Sequence, residues 1–433
     1  MKHPISEILA NRKHGSVKGV ISLCTASPLV IETSMQHYKT VLSPLIIEAT
    51  ANQVNQDGGY TNMTPKDYAD FVIGLAHKNG FPLNRLILGG DHLGPLVWSD
   101  LDEATAMDKA EVLIDAFVSA GFTKIHVDTS MKLDSDDKTQ VLPTSIIAAR
   151  GIRLIKAAEA AYKNLLKRNP KALAPVYIIG SEVPTPGGAQ EEETLQVTTP
   201  DAFRETVEIY KVNLSKAGLA HLWPRIVAAV VQPGVEFGDT SVHEYDRQAA
   251  SHLIESLAAF SPLVFEGHST DYQTKYHLKA MVDDGIAILK VGPALTFALR
   301  EGLFALSAIE TELIDDVEQR SNLRTVLENT MLANPKNWHK YYHGTDYDLA
   351  FARKFSYSDR SRYNMFEPEM VQAMQRLFEN TNAIPLSLLS QYMPIQYRKV
   401  REGQMSADPR ALASDWVNEC LNDYLFACEN LTN

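Results

Sequence analysis

A chain of 433 residues, 45% hydrophobic and 22% charged, has the makeup of a globular protein with a large core. Its formal net charge of -12 argues against broad nucleic-acid or anionic-membrane binding, since neither polyanion is drawn to an acidic surface. The three cysteines, Cys24, Cys420 and Cys428, show no metal-type spacing. No apolar run approaches membrane-spanning length and the first residues contain no apolar signal core, so a reducing cytoplasm is the expected setting.

From residue 19 onward one unit repeats: a short apolar strand, a polar loop, and an amphipathic helix closed by glycine. The first strand is Val20–Thr25, followed by Ser27-Pro28 and a helix. The second is Leu45–Thr50, followed by the polar loop 52–60 and a helix opened by Thr64-Pro65, where Thr64 caps and Pro65 fits the first turn. Tyr68, Phe71, Val72, Leu75 and Ala76 place one apolar face on that helix, and Gly80 suits its left-handed end.

The third strand, Leu86-Ile87-Leu88-Gly89-Gly90-Asp91-His92-Leu93-Gly94-Pro95, is apolar without alternation, as in a parallel sheet covered on both faces. It ends in glycines, where backbone is open to close approach, and then in an acid and a histidine. Further strands are expected at Lys124–Ser130, Val176–Glu182, Arg225–Gln232, Leu263–His268 and Ala287–Gly292, with helices at 106–120, 144–168 and from Thr199-Pro200 to Gly218. Eight strand–helix units predict an α/β (β/α)8 TIM barrel, with a doubly wound open sheet as the competing fold. The strand rhythm stops after residue 310. Residues 1–310 are therefore expected to form the barrel, and 311–433 a helical C-terminal extension packed on it. No Gly/Ser linker divides the two.

Each expected strand ends in a polar group, and such a ring makes a reactive mouth on a barrel whose interior is otherwise aliphatic. His92, Glu182 and His268 form the candidate metal set, two imidazoles and a carboxylate, with Zn2+ the expected ion. The alternative is that both histidines only hydrogen-bond neighbouring carboxylates. Asp91, Glu48 and Lys290 are the candidate catalytic groups: Asp91 moves a proton to or from a substrate hydroxyl, and Lys290 offers a metal-free Schiff base. Gln232 joins the ring as a substrate contact. Ser269, Thr270, Gly292 and Thr296 lie where barrels often hold a phosphate, although a plain helix cap is the alternative there. His126 reads as a satisfied core histidine, and Tyr341, Tyr342 and Tyr363 as packing for the C-terminal region.

Residues 47–54, 87–95 and 231–237, His268-Ser269-Thr270-Asp271-Tyr272-Gln273 and 288–301 together resemble the GatZ/KbaZ family, and so does Ser390-Gln391-Tyr392. These are the Z subunits of class II D-tagatose-1,6-bisphosphate aldolase. The resemblance implies a TIM barrel related to zinc-dependent class II aldolases, acting beside a catalytic Y-type aldolase subunit in galactitol or N-acetylgalactosamine catabolism. In that comparison Asp91-His92 is similar to the proton-transferring aspartate and first zinc histidine, and His268-Ser269 to the last zinc histidine and phosphate loop. The middle histidine has no obvious match, and Glu182 stands in for it. Ser27-Pro28 departs from the galactitol-type pattern, which has histidine before that proline. Two functions compete: an accessory subunit in an oligomer, or a stand-alone metal-dependent ketohexose (phosphate) aldolase or 4-epimerase. A scaffold without a sugar site is a third, which the polar ring opposes.

Overall fold

The computed structural model describes residues 2–12, 18–180 and 195–429. Eight parallel strands close into a barrel: β1 (Val20–Cys24), β2 (Leu45–Thr50), β3 (Leu86–Leu93), β4 (Lys124–Val127), β5 (Val176–Ile179), β6 (Ile226–Val231), β9 (Val264–Gly267) and β10 (Ile286–Val291), the last pairing back on β1. A short antiparallel hairpin, β7 (Glu236–Phe237) with β8 (Val242–His243), interrupts the βα loop after β6. The barrel helices are α2 (Pro28–His37), α3 (Pro65–Lys78), α4 (Glu103–Ser119), α5 (Thr144–Arg168), α6 (Pro200–Lys216), α7 (Arg247–Leu257), α8 (Lys275–Asp283) and α9 (Pro293–Leu313), preceded by α1 (Pro4–Asn11). The local chemistry behind them is ordinary. In α3, Thr64 and Asp67 form a reciprocal capping box, Pro65 opens the first turn, and Gly80 follows at φ 61°.

The barrel interior is built in three storeys. At the bottom, Val20, Ile46, Ile87, Val176, Val264 and Ile288 meet Ile5 and Leu9 of α1, which plugs that end. That plug was not foreseen in the sequence. It is held by His3, whose Nδ1 accepts from the Ile5 amide at 3.2 Å while Nε2 lies 3.2 Å from Thr123 Oγ1. In the middle, Lys124 Nζ lies 2.6 Å from Glu48 Oε1 and 2.9 Å from Glu266 Oε2, with all three side chains fully buried. Gly89 exists for this contact, because a Cβ there would stand 2.6 Å from Glu48 Oε1. The top storey holds the imidazoles.

The expectation that Gly89 and Gly90 open backbone to a ligand is thereby corrected. The first is filled by Glu48, and the second by Leu93 and Phe117. Strands β4 and β5 also end earlier than expected. After Val127 the chain turns, and Asp128 Oδ1 accepts from the Ser130 amide and hydroxyl at 3.0 and 2.7 Å.

The helical C-terminal region comprises α10 (Leu323–Ala333), α11 (Asp346–Phe355), α12 (Pro368–Asn380), α13 (Leu386–Tyr392), α14 (Pro394–Arg401) and α15 (Pro409–Glu429). The last of these lies against α9, α8, α2 and β1, and the Gly19 amide donates to its Cys428 carbonyl at 3.1 Å. A short 3-10 turn, Arg360–Tyr363, drops into the barrel mouth, where Tyr363 meets the Tyr60 ring edge-on at 4.6 Å. No helix among the described residues is long and apolar enough to cross a membrane.

Candidate metal centre at the barrel mouth

In a regular strand Asp91 and His92 would point to opposite faces. Here His92 has φ 47°, a left-handed conformation uncommon for any residue but glycine, and the β3–β4 register slips between Gly90 and Leu93. The bulge turns both residues inward. They meet His126 from β4 and His268 from just past β9, and one ligand atom of each of the four lies within 4.8 Å of every other. The ring centroids of His92, His126 and His268 form a near-equilateral triangle with sides of 5.0, 4.9 and 5.2 Å.

Each imidazole has one nitrogen committed to an acceptor outside the triangle. His92 Nδ1 is 3.0 Å from Asp128 Oδ2, His268 Nε2 is 2.9 Å from Glu266 Oε1, and His126 Nε2 is 3.2 Å from the Gly180 carbonyl. Donating those N–H groups fixes the tautomers and leaves a lone pair on the other nitrogen, the arrangement by which outer carboxylates and carbonyls orient metal-ligating histidines. At His126 Nδ1 that lone pair accepts from the His92 amide at 3.2 Å. His268 Nδ1 is buried and has no hydrogen-bond partner, as a nitrogen awaiting a ligand would be. Burial, with the neighbouring imidazoles, lowers His126 to about 4 and His268 to about 3, so both are neutral at physiological pH, the form that binds metal. Burial would push Asp128 up, but the hydrogen bond and charge from His92 hold it well below the usual range. Glu266 is likewise kept ionised against burial by Lys124 and His268. The donor set fits a divalent ion.

Asp91 stands between this triangle and a cation. Its Oδ1 is 3.0 Å from His126 Nδ1, its Oδ2 is 3.6 Å from His92 Nε2, and the same oxygen pairs with Lys290. Lys290 also lies 3.7 Å from Glu48 Oε2, and burial lowers its pKa against the pull of Glu48. With Asp91 on its ammonium, Lys290 serves as an ion-pair partner in this arrangement, not as a free amine. Glu48, buried and held by Lys124, Lys290 and Ser22, belongs to the storey below.

The expected phosphate loop is reorganised. Asp271 Oδ1 accepts from the amides of Gly292 and Ala294 at 2.9 and 2.8 Å, occupying the N-terminus of α9 with the chain's own carboxylate. Ser269, at φ 51°, lines the metal-side cavity with Gly292. Thr270 is turned away, fully buried, donating to the Lys290 carbonyl at 2.5 Å, and Thr296 donates to Asp359 at 2.5 Å. Gln232 folds back on its own loop, accepting from the Gly234 and Val235 amides. Glu182 lies outside the described residues.

Sequence reading missed His126 as a member of the cluster, although it is also hydrogen-bonded as expected. The signal was present: Lys124, His126 and Asp128 alternate with aliphatics, which puts all three on the barrel's inner face. Of the three tyrosines expected only to pack, Tyr342 does so, while Tyr341 and Tyr363 line the cavities.

A closed (β/α)8 barrel whose mouth gathers three oriented imidazoles and a carboxylate defines a barrel protein with a donor set that could hold a metal ion. Residues 5–429 match one family throughout, and the chain belongs to it: the D-tagatose-1,6-bisphosphate aldolase subunit GatZ/KbaZ-like family. It is similar to the crystal structure of a probable tagatose 6 phosphate kinase from Sinorhizobium meliloti 1021, at 44% identity and TM-score 0.86, covering 95% of this chain and 100% of that one. Looser likenesses run to the fructuronate-tagaturonate epimerase of Cohnella laeviribosi (14% identity, TM-score 0.45, 94% of this chain and 82% of that one) and to the fructose-bisphosphate aldolase of Campylobacter jejuni (14%, 0.43, 87% and 94%).

Proposed function

We propose that this chain is itself a metal-dependent enzyme of ketohexose chemistry that breaks and re-forms the C3–C4 bond. The observation that carries the reading is the triangle of imidazoles, each with one nitrogen committed outward and its other lone pair turned toward Asp91 and its neighbours. His92 would hold the ion through Nε2, and His126 and His268 through Nδ1. A zinc ion there supplies Lewis-acid polarisation of the ketose carbonyl and neutralises the charge that develops on it.

The chain's own work is proton transfer and burial. Asp91 accepts the C4 hydroxyl proton, the C3–C4 pair of electrons moves toward the C2 carbonyl, and an enediolate and an aldehyde result. Return of the proton from Asp91 after re-addition to the other aldehyde face gives the C4 epimer, whereas release of the aldehyde followed by protonation of the enediolate at C3 completes aldol cleavage. Lys290, paired with Asp91, holds that carboxylate in position between turnovers. We place the reaction in the cytoplasm, in keeping with three free cysteines.

The test is turnover by the purified chain alone. Stripped and reloaded with zinc or manganese, it is expected to cleave or epimerise a tagatose or fructose derivative, and His92→Ala is expected to reduce the rate at least ~100-fold. The family's description as an aldolase subunit supports a second reading, an accessory role for a Y-type catalytic subunit in galactitol or N-acetylgalactosamine catabolism. Inactivity with every metal, together with a rise in Y-subunit activity on addition of this chain, would select it.

A further inference from the structure

Buried lysines and arginines among the described residues are, with one exception, ion-paired. Lys124 meets Glu48 and Glu266, Lys290 meets Asp91, Arg150 meets Asp136 and Glu103, Arg300 meets Asp359, and Arg353 meets Glu328. Among the described residues one buried cation breaks the rule. Arg360 is 3% exposed, yet no carboxylate lies within ion-pair distance. Its Nη1 donates to the Asn337 carbonyl at 3.2 Å, its guanidinium covers the Tyr341 ring at 3.2 Å, and its Nε has no partner at all. A buried charge without a counter-ion is strongly disfavoured, so such a group is poised for an anion.

Arg360 lines a cavity of about 840 Å3 whose wall also carries Lys336 and Lys340, both exposed and neither ion-paired. The acids on that wall are Asp128, already committed to His92 and Ser130, and the exposed Asp57. Three cations against two acids leave that wall net positive, and the unpaired guanidinium with two free ammonium groups offers the charge-assisted donors a phosphate monoester uses. His92 and Tyr60 line both this cavity and the smaller one at the imidazoles, so one ligand can reach from one to the other. Meanwhile the anion site at the start of α9 is filled by Asp271.

We infer that Arg360, Lys336 and Lys340, supplied by the helical C-terminal region, bind the phosphate of a phosphorylated ketose whose carbonyl end lies at the imidazole triangle. The phosphate is thus held by the appended helices, not by the barrel's last strands. The inference rests on the proposed ketose chemistry for the identity of the sugar, but its test does not require turnover.

Isothermal titration calorimetry on the EDTA-treated full chain with D-fructose 6-phosphate, D-fructose and D-galacturonate separates the possibilities. The phosphorylated ketose is expected to bind at least tenfold tighter than the other two. Arg360→Gln, and separately Lys336→Gln with Lys340→Gln, are each expected to weaken it at least tenfold while D-fructose changes less than twofold. The lysine pair is exposed, so it reads the site even where Arg360→Gln unfolds. Equal affinity for phosphorylated and plain ketose, unchanged affinity in the lysine variant, or tighter binding of galacturonate each overturns the inference. If the metal-loaded chain turns over nothing and this binding pattern holds, the catalytic proposal falls and the phosphate site stands.

Discussion

Two storeys of one barrel hold buried ionisable groups, and they are finished differently. In the middle storey Lys124 sits between Glu48 and Glu266, and the charges close on one another within the protein. In the top storey three imidazoles each spend one nitrogen on a fixed acceptor, while His268 Nδ1 keeps an unpartnered lone pair and His126 Nδ1 receives only the His92 amide. Glu266 belongs to both, giving one oxygen to Lys124 and the other to His268. The difference separates structural charge from functional charge. Burial alone marks neither, because both sets are buried. What distinguishes them is whether the valences are used up.

The comparison can be broken first in the middle storey. Lys124→Met leaves Glu48 and Glu266 buried together without a counter-ion and is expected to cost ~3–5 kcal/mol in chemical denaturation. Adding Glu48→Gln and Glu266→Gln should recover most of it. If Lys124→Met alone is neutral, the ion triad is not a closed structural unit.

Below both storeys, His3 provides a pH-sensitive contrast. Burial lowers its pKa from 6.5 to about 4, so the unfolded chain takes up this proton first. Its contribution is complete above pH 6.5 and is lost as the pH falls toward 4, a decline of about 3 kcal/mol. His3→Gln is expected to flatten stability over that window relative to the parent, and parallel curves for the two would refute the assignment. The smallest expected effect is in the outer shell of the top storey. Asp128→Ala should lower metal affinity ~10–100-fold, by releasing the His92 ring, while leaving thermal stability nearly unchanged. A zinc titration with an unaltered midpoint would remove Asp128 from the orienting role.

Much of this architecture was legible in the residues. The eight apolar runs, the punctuating glycines and the proline-opened helices placed the strands and most barrel helices to within a few positions, because each is set by local chemistry. His92, Asp91 and His268 were found because polar residues at the ends of apolar strands stand out. His126 escaped because it lies inside a strand, where a histidine is usually a core residue. Its partnership with Lys124 and Asp128 shows only when alternation is tracked along β4. The roles of Asp271 and Arg360 were not visible. The first depends on a carboxylate reaching backbone amides some twenty residues on, and the second on a turn of the C-terminal region being folded into the mouth. The glycines of β3 misled for a related reason: absence of a side chain says that something comes close, not what, and here the neighbour is Glu48.

The seam of the barrel has a further consequence. Strand β1 joins β10 on one side, and the helix laid over that junction is α15, tied to Gly19 through the Cys428 carbonyl. During synthesis the opening strand therefore waits, with one edge bare, until β10 has left the ribosome, and the junction stays uncovered until α15 follows. Ring closure waits for the last strand of the barrel, and a nascent chain halted before β10 presents an unsealed sheet edge to chaperones.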